Sequence, residues 1–284
     1  MLTIDIGDWI CNLQSVLSES DHATIVRCVN RYTSKSAIAK IFPRHSHPTT
    51  AINEIYILKH LPSHPLLLTR YDFLEDTNNR YIIMEEATEG DLLSHLNKHL
   101  THLPETEVFF FFSQIVDGVD FLHQQHISHH DLKLENILLA EGKKVKIIDF
   151  EFGRHLINDP NTTSKSGTLQ YVAPEVLSEN IHNGYQSDLW SLGVILYILA
   201  CHTFPFPDDD DADVILKIKK GAFSCPSYLS DDLLTLIIGL MTPDPNKRYT
   251  IEMIRNSMWY QYHSMGRVKK FGYSLIRKVK TWFY

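Results

Sequence analysis

Residues 129–136 read His129-His130-Asp131-Leu132-Lys133-Leu134-Glu135-Asn136, and a little further on comes Asp149-Phe150-Glu151. A carboxylate at 131 can accept a proton from a hydroxyl. An ammonium at 133 can offset negative charge moving between oxygens. The amide oxygen of Asn136 and the carboxylate of Asp149 are hard oxygen donors of the kind that suits Mg2+. Phosphoryl transfer asks a protein mainly for positioning and electrostatic stabilisation, so a set this small is enough to carry it.

The rest of the chain is compatible with a globular scaffold for that set. It has 284 residues, 44% hydrophobic and 21% charged, enough for one large two-lobed domain or two small ones with a proper core. A net charge of -7 argues against a nucleic-acid binder. The 16 histidines are scattered and form no metal-ligand spacing with cysteine, so they read as surface and core residues. The four cysteines, Cys11, Cys28, Cys201 and Cys225, form no Cys-x-x-Cys, which suits free thiols in a reducing compartment. Residues 1–8 have neither a basic flank nor a long apolar run, so no signal peptide is read and an intracellular location, cytoplasmic or nuclear, is expected. The apolar stretch Ser191–Ala200 is too short to span a bilayer and reads as a buried helix.

Periodicity divides the chain. From about Ile10 to Ala87 short apolar and polar runs alternate as strands do, notably over 25–29, 37–42 and 81–85. One helical interruption, Ala51–Leu61, carries Ile52, Ile55 and Leu58 at helical spacing. Beyond Gly90 the spacing turns helical, over Asp91–His99 and Glu105–Gln125. A strand pair at 137–139 and 145–148 flanks the turn signal Glu141-Gly142, and from Asp188 onward the pattern is helical with proline breaks.

Between about residues 10 and 262, several motifs in one order resemble those of eukaryotic protein kinases, of the serine/threonine type. The segment 129–136 resembles the catalytic loop, and 149–151 the metal-binding Asp-Phe-Gly motif with Glu151 for glycine. Lys133, together with Thr168 in Gly167-Thr168-Leu169-Gln170-Tyr171, resembles the serine/threonine class. Residues 204–206, 226–230 and 244–251 look most like the AMP-activated and calmodulin-dependent kinase group. The resemblance implies an α+β, bilobal protein-kinase fold: a small β-rich N-lobe over 1–88, a larger helical C-lobe over 89–263, and a basic, aromatic tail over 264–284. It implies ATP and Mg2+, protein substrates and an upstream kinase, with no nucleic acid expected.

Residue by residue, the resemblance makes Asp131 the base and Lys133 the phosphate cation, with Asn136 and Asp149 as metal ligands. Lys40 corresponds to the strand lysine on the nucleotide phosphates and Glu54 to its helix partner. Their interval of 14 residues is short for the family, which points to a trimmed helix start. The nucleotide site would further include Ser18, Ala23, Ile25 and Ile38 from the small lobe. Met84 would lie behind the adenine, Glu85 and Ala87 along the hinge backbone, and Asp91 near the ribose. Ser164, Thr168 and Glu175 belong to the activation segment. Ser164 matches the usual phosphosite, and Glu175 matches the carboxylate of a buried pair with Arg248. Asp188 matches the residue that braces the catalytic loop.

Four departures accompany the match. The phosphate-covering loop, read in register from Lys40, is Ser18-Glu19-Ser20-Asp21-His22-Ala23-Thr24-Ile25, with all three glycines replaced. Glycine permits close backbone approach, so weaker ATP binding is expected. Ile38 is bulkier than the usual alanine over the adenine, unless the register differs. Glu151 places a charge and a side chain where glycine makes the turn; it can repel phosphates or act as an extra metal ligand, and a slip to Glu151-Phe152-Gly153 is the disfavoured alternative. His130 stands for the arginine that pairs with a phosphorylated loop, with Arg154 as a candidate to share that role, so a reduced dependence on loop phosphorylation is expected. The leading expectation is an active serine/threonine kinase; the competing one is a catalytically impaired pseudokinase acting as a scaffold. The tail, with Arg267, Lys269, Lys270, Arg277, Lys278 and Lys280 among aromatics, is expected to dock on the domain's own acidic surface or a partner in preference to a membrane.

Overall fold

The alternation in the N-terminal third is realised as a six-stranded antiparallel sheet in the computed structural model, which describes residues 2–45, 48–99, 101–178, 181–207 and 210–265. The strands are β1 (Thr3–Ile6), β2 (Trp9–Glu19), β3 (Thr24–Asn30), β4 (Ser36–Pro43), β5 (Arg70–Glu75) and β6 (Asn79–Met84), in the order β1-β2-β3-β4-β6-β5. Helix α1 (Pro48–His60) interrupts the series between β4 and β5. Successive side chains of a strand face opposite ways. On β4 this sends Ile38 and Phe42 into the main core and Ala37, Ala39 and Ile41 into a second cluster with Trp9, Cys11 and Tyr81. Lys40 shares the parity of Ile38. It pairs with Ile25 on β3 and Ile82 on β6, which fixes the register as read.

Strand β1 was not legible in advance: four residues with a half-exposed pattern carry little signal. It covers the second cluster through Ile4 and Ile6. Helix α1 starts three residues earlier than its apolar periodicity suggested. It begins at Pro48, before Ala51, because a proline at the first helical position has no N–H to leave unsatisfied.

The remainder is helical around a few short strands. After α2 (Leu92–Leu96) and α3 (Glu105–Gln124) come β7 (Ile127–Ser128), β8 (Ile137–Ala140) and β9 (Lys144–Ile147). Next are β10 (Arg154–His155), β11 (Asn161–Thr162), α4 (Pro174–Ser178), β12 (His182–Asn183) and α5 (Gly184–Cys201). The lobe closes with α6 (Asp211–Lys220), α7 (Asp231–Leu240), α8 (Ile251–Asn256) and α9 (Met258–Ser264). Helix α3 buries Val108, Phe111, Phe112, Ile115, Val119 and Leu122, a stripe at helical spacing. It packs on α5, which is apolar all round and buried along most of its length. Helix α2 is shorter than the 91–99 expected, since the chain leaves it in turns after Leu96. Among the described residues, no helix is long and apolar enough to cross a membrane. The tail residues 266–284, and with them the docking expectation, lie outside the described residues.

Candidate active site

Between the sheet and the helical lobe lies a cleft of about 940 Å³, at the upper end of the size of small-molecule sites. Ser18, Ala23, Ile25, Ile38, Lys40, Glu54, Met84, Ala87 and Asp91 all line it, and so do Asp131, Lys133, Asn136 and Asp149. Glu85 does not. Its carboxylate turns away to Lys146 Nζ at 2.5 Å and accepts the Thr69 amide at 2.8 Å, so only its backbone remains for a hinge role.

The charged end of the cleft is organised around Lys40. Its Nζ lies 2.6 Å from Glu54 Oε2, 3.0 Å from Asp149 Oδ1 and 3.7 Å from Glu151 Oε1. Burial alone would push the ammonium down, but the three carboxylates more than offset it and hold Lys40 above its ordinary range. Glu54, fully buried at the inner face of α1, is pushed up to about 7 by burial, with Asp149 and Glu151 adding to the effect and Lys40 opposing it. Burial acts the same way on Asp149, yet Lys40 holds that carboxyl below the usual range. One cation thus serves three anions.

The turn after Asp149 explains how Glu151 fits where glycine was expected. The left-handed backbone falls on Asp149, with φ of 70°, while Glu151 has a negative φ and carries no such strain. The concern that a side chain at 151 spoils the turn is therefore overturned. Asn53 of α1 secures it instead: its Nδ2 donates to the carbonyls of Phe150, Glu151 and Gly153 at 3.3, 2.9 and 3.0 Å. Phe150 is buried against His129, ring centroids 5.1 Å apart.

Across the floor, Asp131 is nearly fully buried and saturated with donors. Its Oδ1 accepts the Thr168 amide and hydroxyl, each at 3.0 Å. Its Oδ2 accepts Lys133 Nζ at 2.8 Å and Asn136 Nδ2 at 3.1 Å. Lys133 also donates to Thr168 Oγ1 at 2.9 Å, so the four side chains form one web. Gly167 makes the approach possible: it has φ of 119°, and a Cβ there would meet the His130 carbonyl at 2.8 Å. The loop itself hangs from Asp188 on α5, which accepts the His129 and His130 amides at 2.9 Å each. Burial would raise Asp188, but His123 at 2.9 Å and the neighbouring histidines hold it below the carboxylate range.

The activation segment is tied without a phosphate. Ser164, buried, receives Arg154 Nη2 at 3.1 Å and shares a 2.6 Å hydrogen bond with the Ser166 hydroxyl. His130 takes no part in this contact. Burial first, then Arg154 and two histidines, pushes its imidazole down to about 4 against the pull of Asp188, so it is neutral at pH 7. Glu175 and Arg248, both buried, pair in bidentate fashion at 2.6 and 2.8 Å, and Arg248 also donates to the Gln186 and Thr242 carbonyls.

Over the cleft, the β2–β3 hairpin closes on itself. The Ser20 hydroxyl accepts the His22 amide at 3.3 Å and the Ala23 amide at 3.1 Å, and the Ser20 amide donates to the Ala23 carbonyl at 3.0 Å. The polar edge of the turn is thus satisfied within the chain. Ile38 sits beside it, 6% exposed and paired with Met84. Arg27 of β3 reaches Glu86 Oε1 at 2.9 Å and ties the hairpin to the segment linking the lobes, a contact sequence reasoning missed. Asp91 lines the cleft but is already engaged as the cap of α2, accepting the Ser94 amide and hydroxyl at 2.7 Å each.

A two-lobed fold with such a cleft defines a class, and comparison with known proteins agrees: the protein kinase domain family matches residues 13–260, and the chain belongs to it. Among its relatives, a serine/threonine-protein kinase SIK2 of Gallus gallus is 32% identical over 254 residues, covering 88% of this chain and 32% of the relative. A CBL-interacting serine/threonine-protein kinase 8 of Arabidopsis thaliana is 36% identical over 256 residues, covering 87% of this chain and 57% of the relative. The chain therefore spans between about a third and somewhat over half of the length of these relatives.

Proposed function

We propose that the chain is a serine/threonine protein kinase that moves the γ-phosphoryl group of ATP onto a serine or threonine hydroxyl of a protein. The observation that carries this reading is the intact pair of charge webs: Lys40 between Glu54 and Asp149, and Asp131 with Lys133, Asn136 and Thr168. Lys40 would hold the inner phosphates, and Glu54 keeps it from wandering. Asp131 would orient the acceptor hydroxyl and take its proton, while Lys133 offsets charge developing on the transferred group. Asn136 and Asp149 supply an oxygen donor set that suits Mg2+, which when bound neutralises the phosphate oxygens. Ile25, Ile38, Met84 and Ala87 form apolar walls for the adenine, the backbone of 85–87 its polar edge, and Asp91 lies on the ribose side.

Two features set this site apart within that reading. The hairpin at 18–25 offers fewer free amides to phosphates, so nucleotide binding is weak. The Arg154–Ser164–Ser166 contact orders the activation segment with neutral hydroxyls, so an upstream kinase acting on Ser164 has little left to add. The test is transfer of labelled γ-phosphate from Mg-ATP to the chain itself and to generic protein substrates, beside Asp131→Asn. Transfer to serine or threonine that the variant abolishes is expected. Nucleotide-dependent thermal stabilisation with no transfer in either protein would sink the enzyme reading and leave a nucleotide-binding scaffold.

A further inference from the structure

Away from the cleft, three side chains that sequence spacing kept apart come together beneath α2. His95 lies on α2 and His99 one turn further on, where backbone hydrogen bonds from Lys98 and His99 back to His95 and Leu96 continue the winding. Residues four apart share a face of such a turn, and the two imidazoles lie 5.1 Å apart, centroid to centroid. Glu107, in the first turn of α3, projects to the same place. One ligand atom of each of the three lies within 4.8 Å of the others.

We propose that His95, His99 and Glu107 form a binding site for a transition-metal ion, Zn2+ above all. Two imidazole nitrogens and a carboxylate oxygen are a donor set that zinc takes readily and that Mg2+ does not favour, so this site is chemically distinct from the cleft. Tetrahedral zinc with bonds of about 2.0–2.1 Å needs ligand atoms roughly 3.3 Å apart. Rotation of the His99 and Glu107 side chains would close the remaining gap. The His95 ring is already set by an edge-on contact with Phe111, centroids 5.4 Å apart, and its buried Nε2 has no hydrogen-bond partner. An imidazole nitrogen shielded from water and left without a partner is a lone pair or proton held at a cost, which a metal bound through that nitrogen would relieve.

One group competes. Lys143, in the turn between β8 and β9, holds Glu107 Oε1 at 3.0 Å. Its side chain is 44% exposed, so the pair is weakly held and the ammonium can swing into solvent when a cation of higher charge takes the carboxylate. Metal at this point would tie α2 and the turn after it to the first turn of α3.

The competitor makes the test discriminating. Zn2+ alone is titrated into the full chain, freed of metal beforehand, in competition with a chromophoric chelator. Wild type is compared with His99→Ala, Glu107→Gln and Lys143→Gln, all at sites exposed enough to leave folding intact. Glu151→Gln serves as a control for the acidic cluster of the cleft. The expected result is one equivalent in wild type, weakened about tenfold or more in His99→Ala and Glu107→Gln. Binding should tighten in Lys143→Gln and stay unchanged in Glu151→Gln, and the unfolding temperature should rise with Zn2+ in step. Equal affinity and stoichiometry in wild type, His99→Ala and Glu107→Gln, or no uptake by wild type, would overturn the proposal, because scattered surface histidines would then account for any binding.

Discussion

The charged end of the cleft and the hairpin over it are held together by different physics. At the charged end, Lys40, Glu54, Asp131 and Asn136 are buried, and Lys40 leans on Glu54 as Asp131 leans on Asn136. Taking one away strands a charge out of water, which costs about 3–5 kcal/mol. The hairpin is held by backbone pairing, one serine hydroxyl and the half-exposed Arg27–Glu86 pair, and the side chains of 18–21 at its tip face solvent. Substitutions there cost the fold little. The departures at 18–25 therefore speak to how tightly a nucleotide is gripped, and not to whether the chemistry below survives.

The largest effect should come from striking the charged end. Lys40→Met leaves Glu54, Asp149 and Glu151 facing one another, so phosphate transfer should vanish and stability fall by about 3–5 kcal/mol. Urea unfolding of the two proteins measures this, and an unchanged midpoint would mean that the carboxylates are solvated. A pH effect comes next. Glu54 titrates at about 7 in the folded chain against 4.5 ordinarily, so between those values the folded state holds a proton that the unfolded state has released. Its contribution to stability falls as pH rises across that window, whereas kcat/KM for ATP climbs through about pH 7 because only ionised Glu54 clamps Lys40. Unfolding midpoints across the window should lose this slope in Glu54→Gln.

A smaller effect is expected at the join between the two regions. Glu151→Gln removes one of three anions around Lys40 and should lower the KM for Mg-ATP about tenfold, equivalent to ~1.4 kcal/mol. A rise in KM would instead make Glu151 a metal ligand. The smallest effect belongs to the activation segment: phosphatase treatment should change kcat little, because neutral His130 has no charge with which to grip a phosphate and Arg154 already holds Ser164. A collapse of activity on dephosphorylation would refute that.

Much of the charged end was readable from the resemblance to protein-kinase motifs. Asp131, Lys133, Asn136 and Asp149 follow in one matching segment, and Lys40 and Glu54 match the strand lysine and its helix partner, on β4 and α1. What escaped depends on dihedrals and side-chain direction, which spacing does not encode. That Asn53 would grip three carbonyls, that the positive φ would fall on Asp149 and spare Glu151, and that Glu85 would turn to Lys146 are facts of this kind. The Ser20 turn belongs with them: a serine in place of glycine reads as lost freedom, but its hydroxyl also takes over the amides that it leaves in place. His95, His99 and Glu107 belong with them too: the histidines have no cysteine partner at ligand spacing, and the carboxylate that joins them lies on another helix.

The division between the two regions is tested most directly by measuring kcat and KM for ATP in wild type, Asp131→Asn and Ser20→Gly side by side. Asp131→Asn should lose about 10²–10⁴ in kcat with KM for ATP changed far less, since it removes the proposed base while the groups proposed to hold the nucleotide, Lys40 above all, stay in place. Ser20→Gly frees the His22 and Ala23 amides and should lower KM about tenfold, the worth of one hydrogen bond to a charged phosphate, with kcat unchanged. If Ser20→Gly instead raised kcat from nothing, or if Asp131→Asn left kcat intact, the hairpin and not the charged end would govern the chemistry, and the account would fail.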